Sequence, residues 1–158
     1  MTNFKVPKLI MLCGIPTSGK STYVQKLQLE DYILLSTDNY IEQMADHMGL
    51  TYNTAFDGLV GEATKDMERR LKLAVRNDLS IVWDQTNLTP SARKRKLSKV
   101  PLQYEKTAVW FGIPLEEAMI RNQQRPGKVI PGSVLKQMFR TFVPPTTSEG
   151  FDLIIKAN

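Results

Sequence analysis

Cysteine and histidine each occur once in the 158 residues, as Cys13 and His47. One cysteine excludes an internal disulfide, and a lone thiol inside an apolar run reads as a small buried hydrophobe. One histidine cannot build a histidine-based metal centre, so His47 reads as a surface or helix-face residue. No apolar run reaches the ~20 residues that a bilayer span needs, and no basic-then-apolar leader is present. These absences predict a cytoplasmic protein with no membrane partner. No internal repeat or low-complexity segment appears. The size prior predicts one domain, residues 1–158, and 42% hydrophobic residues suffice for a core.

Acidic residues are scarce in the second half. Residues 1–90 hold 9 Lys/Arg against 11 Asp/Glu, whereas residues 91–158 hold 12 against 5. A basic half beside an anion-binding half suits a polyanionic partner such as nucleic acid. A solvated basic surface explains the same numbers.

The pattern that is present alternates short apolar runs with helical stretches. Leu9–Cys13, Tyr32–Ser36, Ser80–Trp83, Thr107–Phe111 and Phe151–Lys156 read as strands. Lys20–Leu29, Asn39–Met48, Leu115–Asn122 and Pro131–Phe142 read as helices. A long amphipathic helix carries Phe56, Val60, Ala63, Met67, Leu71 and Ala74 as its core stripe. Thr89 and Pro90 form an N-cap and first-turn pair opening a helix to about Lys99. Strands alternating with helices predict an α/β fold: a mainly parallel sheet of about five strands with helices on both faces.

Gly14-Ile15-Pro16-Thr17-Ser18-Gly19-Lys20-Ser21 fits G-x-x-x-x-G-K-[ST], the loop that wraps the phosphates of a nucleoside triphosphate. An apolar strand pattern precedes it and a helical one follows, which is the context the loop requires. Lys20 reaches the β- and γ-phosphates, and the Ser21 hydroxyl suits Mg²⁺. Thr22 completes the segment. ATP and Mg²⁺ are therefore the expected ligands of a P-loop NTPase fold.

In such a sheet ligands bind outside the carboxyl ends of the strands. The second strand ends at Asp38 and the third at Asp84, so both carboxylates can converge on the phosphates. Phosphoryl transfer to an alcohol needs a carboxylate that takes the hydroxyl proton and cations for the transferred group. Asp38 reads either as that base or as a helix cap. Asp84 reads either as a metal-supporting carboxylate or as a hydrogen bond to the following turn. Arg121 and Arg125, before a Pro-Gly break, read as cations on a lid of about residues 121–131 or as solvated helix-end charges. Arg93-Lys94-Arg95-Lys96 reads as a nucleic-acid contact or as a basic exposed face. Tyr40, Tyr52 and Phe56 are candidates for stacking on a base, although Phe56 also opens the core stripe.

Taken together, Gly14–Thr22, Ser36–Tyr40, Asp84–Leu88 with Ser91–Arg93, Arg121–Arg125 and Val129–Pro131 resemble the kinase domain of the polynucleotide 5′-hydroxyl kinases, the bacteriophage enzyme in particular. The resemblance covers nearly the whole chain. It implies a sheet with the third strand beside the first, four flanking helices and an arginine-bearing lid. It implies Asp38 as general base, Lys20 and Ser21 as triphosphate and metal contacts, and Arg125 as the lid cation supported by Arg121. It implies acceptor-side contacts from the Asp84–Thr86 segment. The implied partners are ATP and a nucleic acid with a free 5′-hydroxyl end, in the cytoplasm (the host's, for a phage gene), with a homo-oligomer left open. One position departs. Ile41 stands where the phage enzyme has an arginine for the acceptor's 3′-phosphate, so other alcohols remain open: a hydroxymethylated base in DNA, seryl-tRNA or a small metabolite. A nucleotide-binding module without kinase activity is the remaining alternative.

Overall fold

The structure is a computed structural model and describes residues 5–158. Five strands, β1 (Lys8–Cys13), β2 (Tyr32–Leu35), β3 (Ser80–Asp84), β4 (Glu105–Trp110) and β5 (Leu153–Lys156), form one sheet. Six helices intervene among the described residues: α1 (Lys20–Lys26), α2 (Thr37–His47), α3 (Tyr52–Arg76), α4 (Pro90–Leu97), α5 (Leu115–Gln123) and α6 (Gly132–Thr141). The strand order is β2-β3-β1-β4-β5. Each neighbouring pair is parallel, so the sheet is wholly parallel and β3 does lie beside β1. The chain leaves β1 toward β2 on one side and crosses from β3 to β4 on the other. The direction of winding reverses at β1, and a crevice opens at its carboxyl end.

Alternate residues of β1 point to opposite faces. Leu9, Met11 and Cys13 pack with Leu35, Ile81, Trp83 and Ala108 beneath Leu71 and Ala74 of α3. Leu12 faces the other way and packs with Val82, Val109 and Phe111 against Tyr23 and Val24 of α1. Cys13 is fully buried, and burial pushes its thiol up to about 12, so it is an inert core residue as the sequence predicts. His47 is exposed at the end of α2.

Three sequence expectations require correction. Helix α1 stops at Lys26, not Leu29, because Leu27 turns extended. Leu27 and Leu29 join the same apolar cluster. Two residues apart on a helix they would diverge by about 200°, so the chain leaves the helix to bury both.

The inward stripe of α3 lies one residue from where the sequence puts it near its start. Ala55, Leu59 and Ala63 meet Ile41 and Ala45 of α2, while Phe56 stays 37% exposed. Alanines let the two helices approach closely, which the larger phenylalanine would prevent.

The third correction concerns the basic run. Arg93 is 0% exposed. Its guanidinium grips both oxygens of Glu149 (2.7 and 3.0 Å) and donates to the carbonyls of Asn87 (2.8 Å) and Val143 (2.9 Å). Lys96 is half-buried and donates to Asn87 Oδ1. Only Lys94 and Arg95 of the four face solvent, so the run is half structural. The reason is spacing: residues 93 and 97 share the inward face of α4, where Thr89 caps the helix by accepting from the Ala92 amide (3.2 Å).

Removing one partner of a buried ion pair strands the other and costs about 3–5 kcal/mol. Arg93→Met is therefore expected to lower the unfolding free energy from urea denaturation by that amount, moving the midpoint down. Burial raises the Glu149 carboxyl, but hydrogen bonds from Arg93 and Thr146 and the Arg93 charge outweigh it and leave the pKa lowered. The pair's stabilisation is thus present above the ordinary carboxylate pKa and lost as pH falls through the lowered one. Denaturation series from pH 7 down to about 3 should show that acid loss in the parent and a weaker one in Arg93→Met. Equal acid profiles would refute the role of the pair.

Candidate active site

The phosphate loop links β1 to α1. Its path needs two left-handed residues, Thr17 (φ 71°) and Gly19 (φ 111°). Gly14 is required for space, since a Cβ there would lie 2.6 Å from Ser18 Oγ and 3.2 Å from Phe111 Cβ. The Gly14 amide donates to the Thr86 carbonyl (2.9 Å), tying the loop to the segment after β3. Helix α1 starts at Lys20, so its unpaired first-turn N–H groups lie at the end of the loop.

A cavity of about 470 Å³ opens at the carboxyl ends of the strands. Pro16, Thr17, Gly19, Lys20, Ser21 and Thr22 form its floor. Asp38 from α2, Asp84 at the end of β3 and Thr86 just after it, and Arg121 of α5 with Arg125 two residues beyond that helix form its walls. The structure thus brings together most of the residues chosen from sequence. Ile15 and Ser18 are buried behind the loop.

Tyr40 is not brought in. It turns toward α3, where its hydroxyl lies 3.4 Å from Glu62 Oε2. Ile41 is fully buried between α2 and α3 and makes no part of the cleft.

Lys20 Nζ folds back onto the carbonyls of Gly14 (2.8 Å) and Ile15 (2.9 Å). Burial lowers its pKa to about 8, against the opposing charges of Asp84 and Asp38. Burial likewise raises the Asp84 carboxyl, and Lys20 opposes that rise. Arg121 donates to the Thr17 carbonyl (3.1 Å) and pairs with Glu117.

Asp38 is not the cap of α2, because Ser36 accepts from the Asn39 amide (3.1 Å) in that position. Its side chain, 54% exposed, is free to face the cavity. The sequence reading missed what surrounds it. Tyr52 donates its phenol to Asp38 Oδ1 at 2.6 Å. Lys128 approaches Asp38 Oδ2 at 3.5 Å and hydrogen-bonds Glu42. The segment carrying Lys128 is closed by Asn122, which donates to the Ile130 carbonyl (2.8 Å) and accepts from its amide (3.2 Å).

Two buried side-chain atoms have no hydrogen-bond partner among the described residues: Ser18 Oγ and Arg125 Nη1. Of the two, Arg125 lines the cavity, and an orphaned guanidinium donor beside a glycine-lined loop fits an anionic ligand with many acceptor oxygens. Ser21 and Asp84 supply the oxygen donors that a hard cation such as Mg²⁺ takes.

Sheet order, loop and cleft define an α/β P-loop kinase fold. A family model described as an AAA domain matches residues 9–145, and the chain belongs to that family. It is 28% identical over 153 residues to the L-seryl-tRNA(Sec) kinase of Methanococcus maripaludis, covering 92% of this chain and 56% of that protein. Among solved structures it is similar to a chain of the Pnkp1/Rnl/Hen1 RNA repair complex, with TM-score 0.67, 22% identity, 89% of this chain and 46% of that one. A Chloroflexus aurantiacus protein with a provisional kinase assignment gives TM-score 0.70 at 19% identity, over 98% of this chain and 90% of that one. The chain thus spans about half the length of the first two. No helix among the described residues is long and apolar enough to cross a membrane.

A triphosphate in the cleft supplies the negative charge that returns Lys20 to its protonated form. ATP binding above the lowered pKa of about 8 is therefore expected to take up a proton, and affinity to fall as pH rises through it. Calorimetric titrations at about pH 8.5 in buffers of different ionisation enthalpy read that proton. Identical apparent enthalpies would show that Lys20 keeps its charge throughout.

Proposed function

We propose that this chain is an ATP-dependent kinase that transfers the γ-phosphate to an alcohol, with the 5′-hydroxyl end of a polynucleotide as its first candidate acceptor. The carrying observation is that Asp38 shares one cavity with the phosphate loop, Arg121 and Arg125. A carboxylate beside a triphosphate site, on a different element from the loop, is arranged to activate an alcohol and not merely to hold nucleotide.

In this reading the glycine loop and Lys20 hold the β- and γ-phosphates. Arg125, whose Nη1 is buried without a partner, meets the equatorial oxygens, and Arg121 braces the loop through Thr17. Residues 121–131 act as the lid. Ser21 and Asp84 would hold Mg²⁺, which when bound neutralises charge on the phosphate oxygens. The acceptor O–H gives its proton to Asp38 as the acceptor oxygen bonds to the γ-phosphorus. The bond from that phosphorus to the bridging oxygen breaks, and ADP leaves with the electron pair. The products are a phosphate monoester, ADP and the proton held on Asp38. Asp84, Gln85 and Thr86 line the same cavity, and in this reading they meet the acceptor.

A second reading keeps the chemistry and changes the alcohol. It is favoured by Ile41, which is buried and cannot hold an acceptor phosphate, and by Arg93 and Lys96, whose side chains are tied to Glu149 and Asn87 within the fold. The similarity to a seryl-tRNA(Sec) kinase supports an aminoacyl-tRNA hydroxyl as that alternative.

An acceptor screen with γ-labelled ATP separates these readings. A 5′-hydroxyl oligonucleotide should gain label while its 5′-phosphorylated twin does not; label on seryl-tRNA or on a free metabolite instead selects the second. With whichever acceptor is used, Asp38→Asn should cut kcat by about 10²-fold or more and leave ATP affinity within about twofold. Undiminished turnover in Asp38→Asn would end the base assignment.

A further inference from the structure

We propose that Tyr52 is a positioning residue for Asp38, and that Lys128 makes its hold depend on the docked 124–131 segment. The inference rests on the reading of Asp38 as the base. Tyr52 is the first residue of α3, fixed there by Thr51, whose hydroxyl accepts from the Thr54 amide at 3.2 Å. From that anchored turn the phenol reaches Asp38 Oδ1 at 2.6 Å. An aspartate as exposed as Asp38 would otherwise rotate about its last torsion at little cost. With Oδ1 engaged by the phenol, Oδ2 is left as the oxygen that accepts the alcohol's proton. Lys128 Nζ, at 3.5 Å from Oδ2, is too far to occupy it as a close charge-assisted hydrogen bond would.

The groups facing Tyr52 keep it a donor. Burial first, then the hydrogen bond and charge of Asp38 and the charge of Glu42, raise its phenol, and the Arg125 charge opposes them. Lys128 lies 4.5 Å from the ring centroid, on its face, while also bound to Glu42. That placement depends on how its segment sits. The Asn53 amide donates to the Gly127 carbonyl (2.9 Å), and the Asn53 side chain donates to the Val129 carbonyl (2.8 Å). Gly127 (φ 66°) meets Thr51 so closely that a Cβ would fall 2.8 Å from Thr51 Cβ. The segment therefore rests on the same helix turn that presents Tyr52, and Arg125 is carried into the cleft by the same docking. Donor-side cation and acceptor-side carboxylate are positioned by one contact surface.

The test uses the full chain, γ-labelled ATP and a 5′-hydroxyl oligodeoxynucleotide. Tyr52→Phe keeps the ring and loses only the hydroxyl. It should lower kcat by about tenfold or more, with the KM for ATP within about twofold and an unchanged melting curve. In an Asp38→Asn background the same change should cost nothing further. Lys128→Gln should lower kcat less and raise the KM for ATP, because the segment that carries Arg125 docks less firmly. Tyr52→Phe at parental kcat beside an inactive Asp38→Asn overturns this proposal and spares the base. Full turnover in Asp38→Asn removes the base itself. Added loss in the double variant, or Lys128→Gln with both constants unchanged, overturns the corresponding half. Should the oligonucleotide accept no phosphate from the parent, spectrophotometric tyrosine titration decides. One phenol should ionise at lower pH in Asp38→Asn than in the parent, and that transition should be missing from Tyr52→Phe/Asp38→Asn; superimposable parent and Asp38→Asn titrations overturn the contact.

Discussion

The buried guanidinium of Arg93 is the joint on which the cleft depends. Strand pairing between β1 and β3 runs out at Leu12 and Asp84, just where the phosphate loop begins. Beyond that point side chains continue the work of the ladder. Arg93 holds the Asn87 carbonyl at 2.8 Å. Asn87, in a left-handed conformation (φ 48°), donates its amide to the Leu12 carbonyl at 2.7 Å. The neighbouring Thr86 carbonyl takes the Gly14 amide. A single chain of contacts thus runs from Glu149, near the end of the described chain, to the first glycine of the loop. A buried ion pair contributes little net stability compared with apolar packing, so its value here is geometric. It fixes the loop against the strand that carries Asp84.

Local chemistry made the loop readable. Glycine at 14 and 19 answers a demand of space and of φ that no distant residue alters. The two carboxylates were readable through topology, since a parallel sheet aligns its carboxyl ends on one edge: Asp84 ends β3, while Asp38 falls not on β2 but in the first turn of the helix that follows it. The contacts of Asp38 were not. Tyr52 lies 14 residues on and meets it only because α2 and α3 fold back as a hairpin. Lys128 comes from a turn with no periodicity to betray its direction. Arg93 misled for a related reason: four basic residues in a row look solvated, and the acid that internalises the first is 56 positions away. The frame of α3 was misread near its start because alanine gives a weak hydrophobic signal while making the close helix contact that Phe56 would block.

The charges of the cleft are largely compensated before any ligand arrives. Lys128 is matched by Glu42 and Asp38, and Arg121 by Glu117. Burial penalises the charged forms of both Lys20 and Asp84, lowering the first pKa and raising the second. Arg125 Nη1 is a buried cationic atom there without a partner among the described residues. Such a site attracts anions weakly at a distance and binds them strongly at contact, where orphaned donors find their acceptors.

That balance bears on the acceptor. Of the cations in the second half, Arg121, Arg125 and Lys128 reach the cleft, whereas Arg93 is internal and Lys96 half-buried, and the cation nearest Asp38 already has an acid of its own. A long polyanion held by diffuse attraction would release many counterions and bind with a steep salt dependence. In the proposed reading the acceptor's grip comes from short-range contacts along the cavity wall of Asp84, Gln85 and Thr86, of which Gln85 is itself tied to Thr37 at 3.2 Å. On that proposal the site reads the few atoms around one hydroxyl, and a terminal nucleotide, an aminoacyl end and a small alcohol would be nearer to one another as acceptors than their sizes suggest.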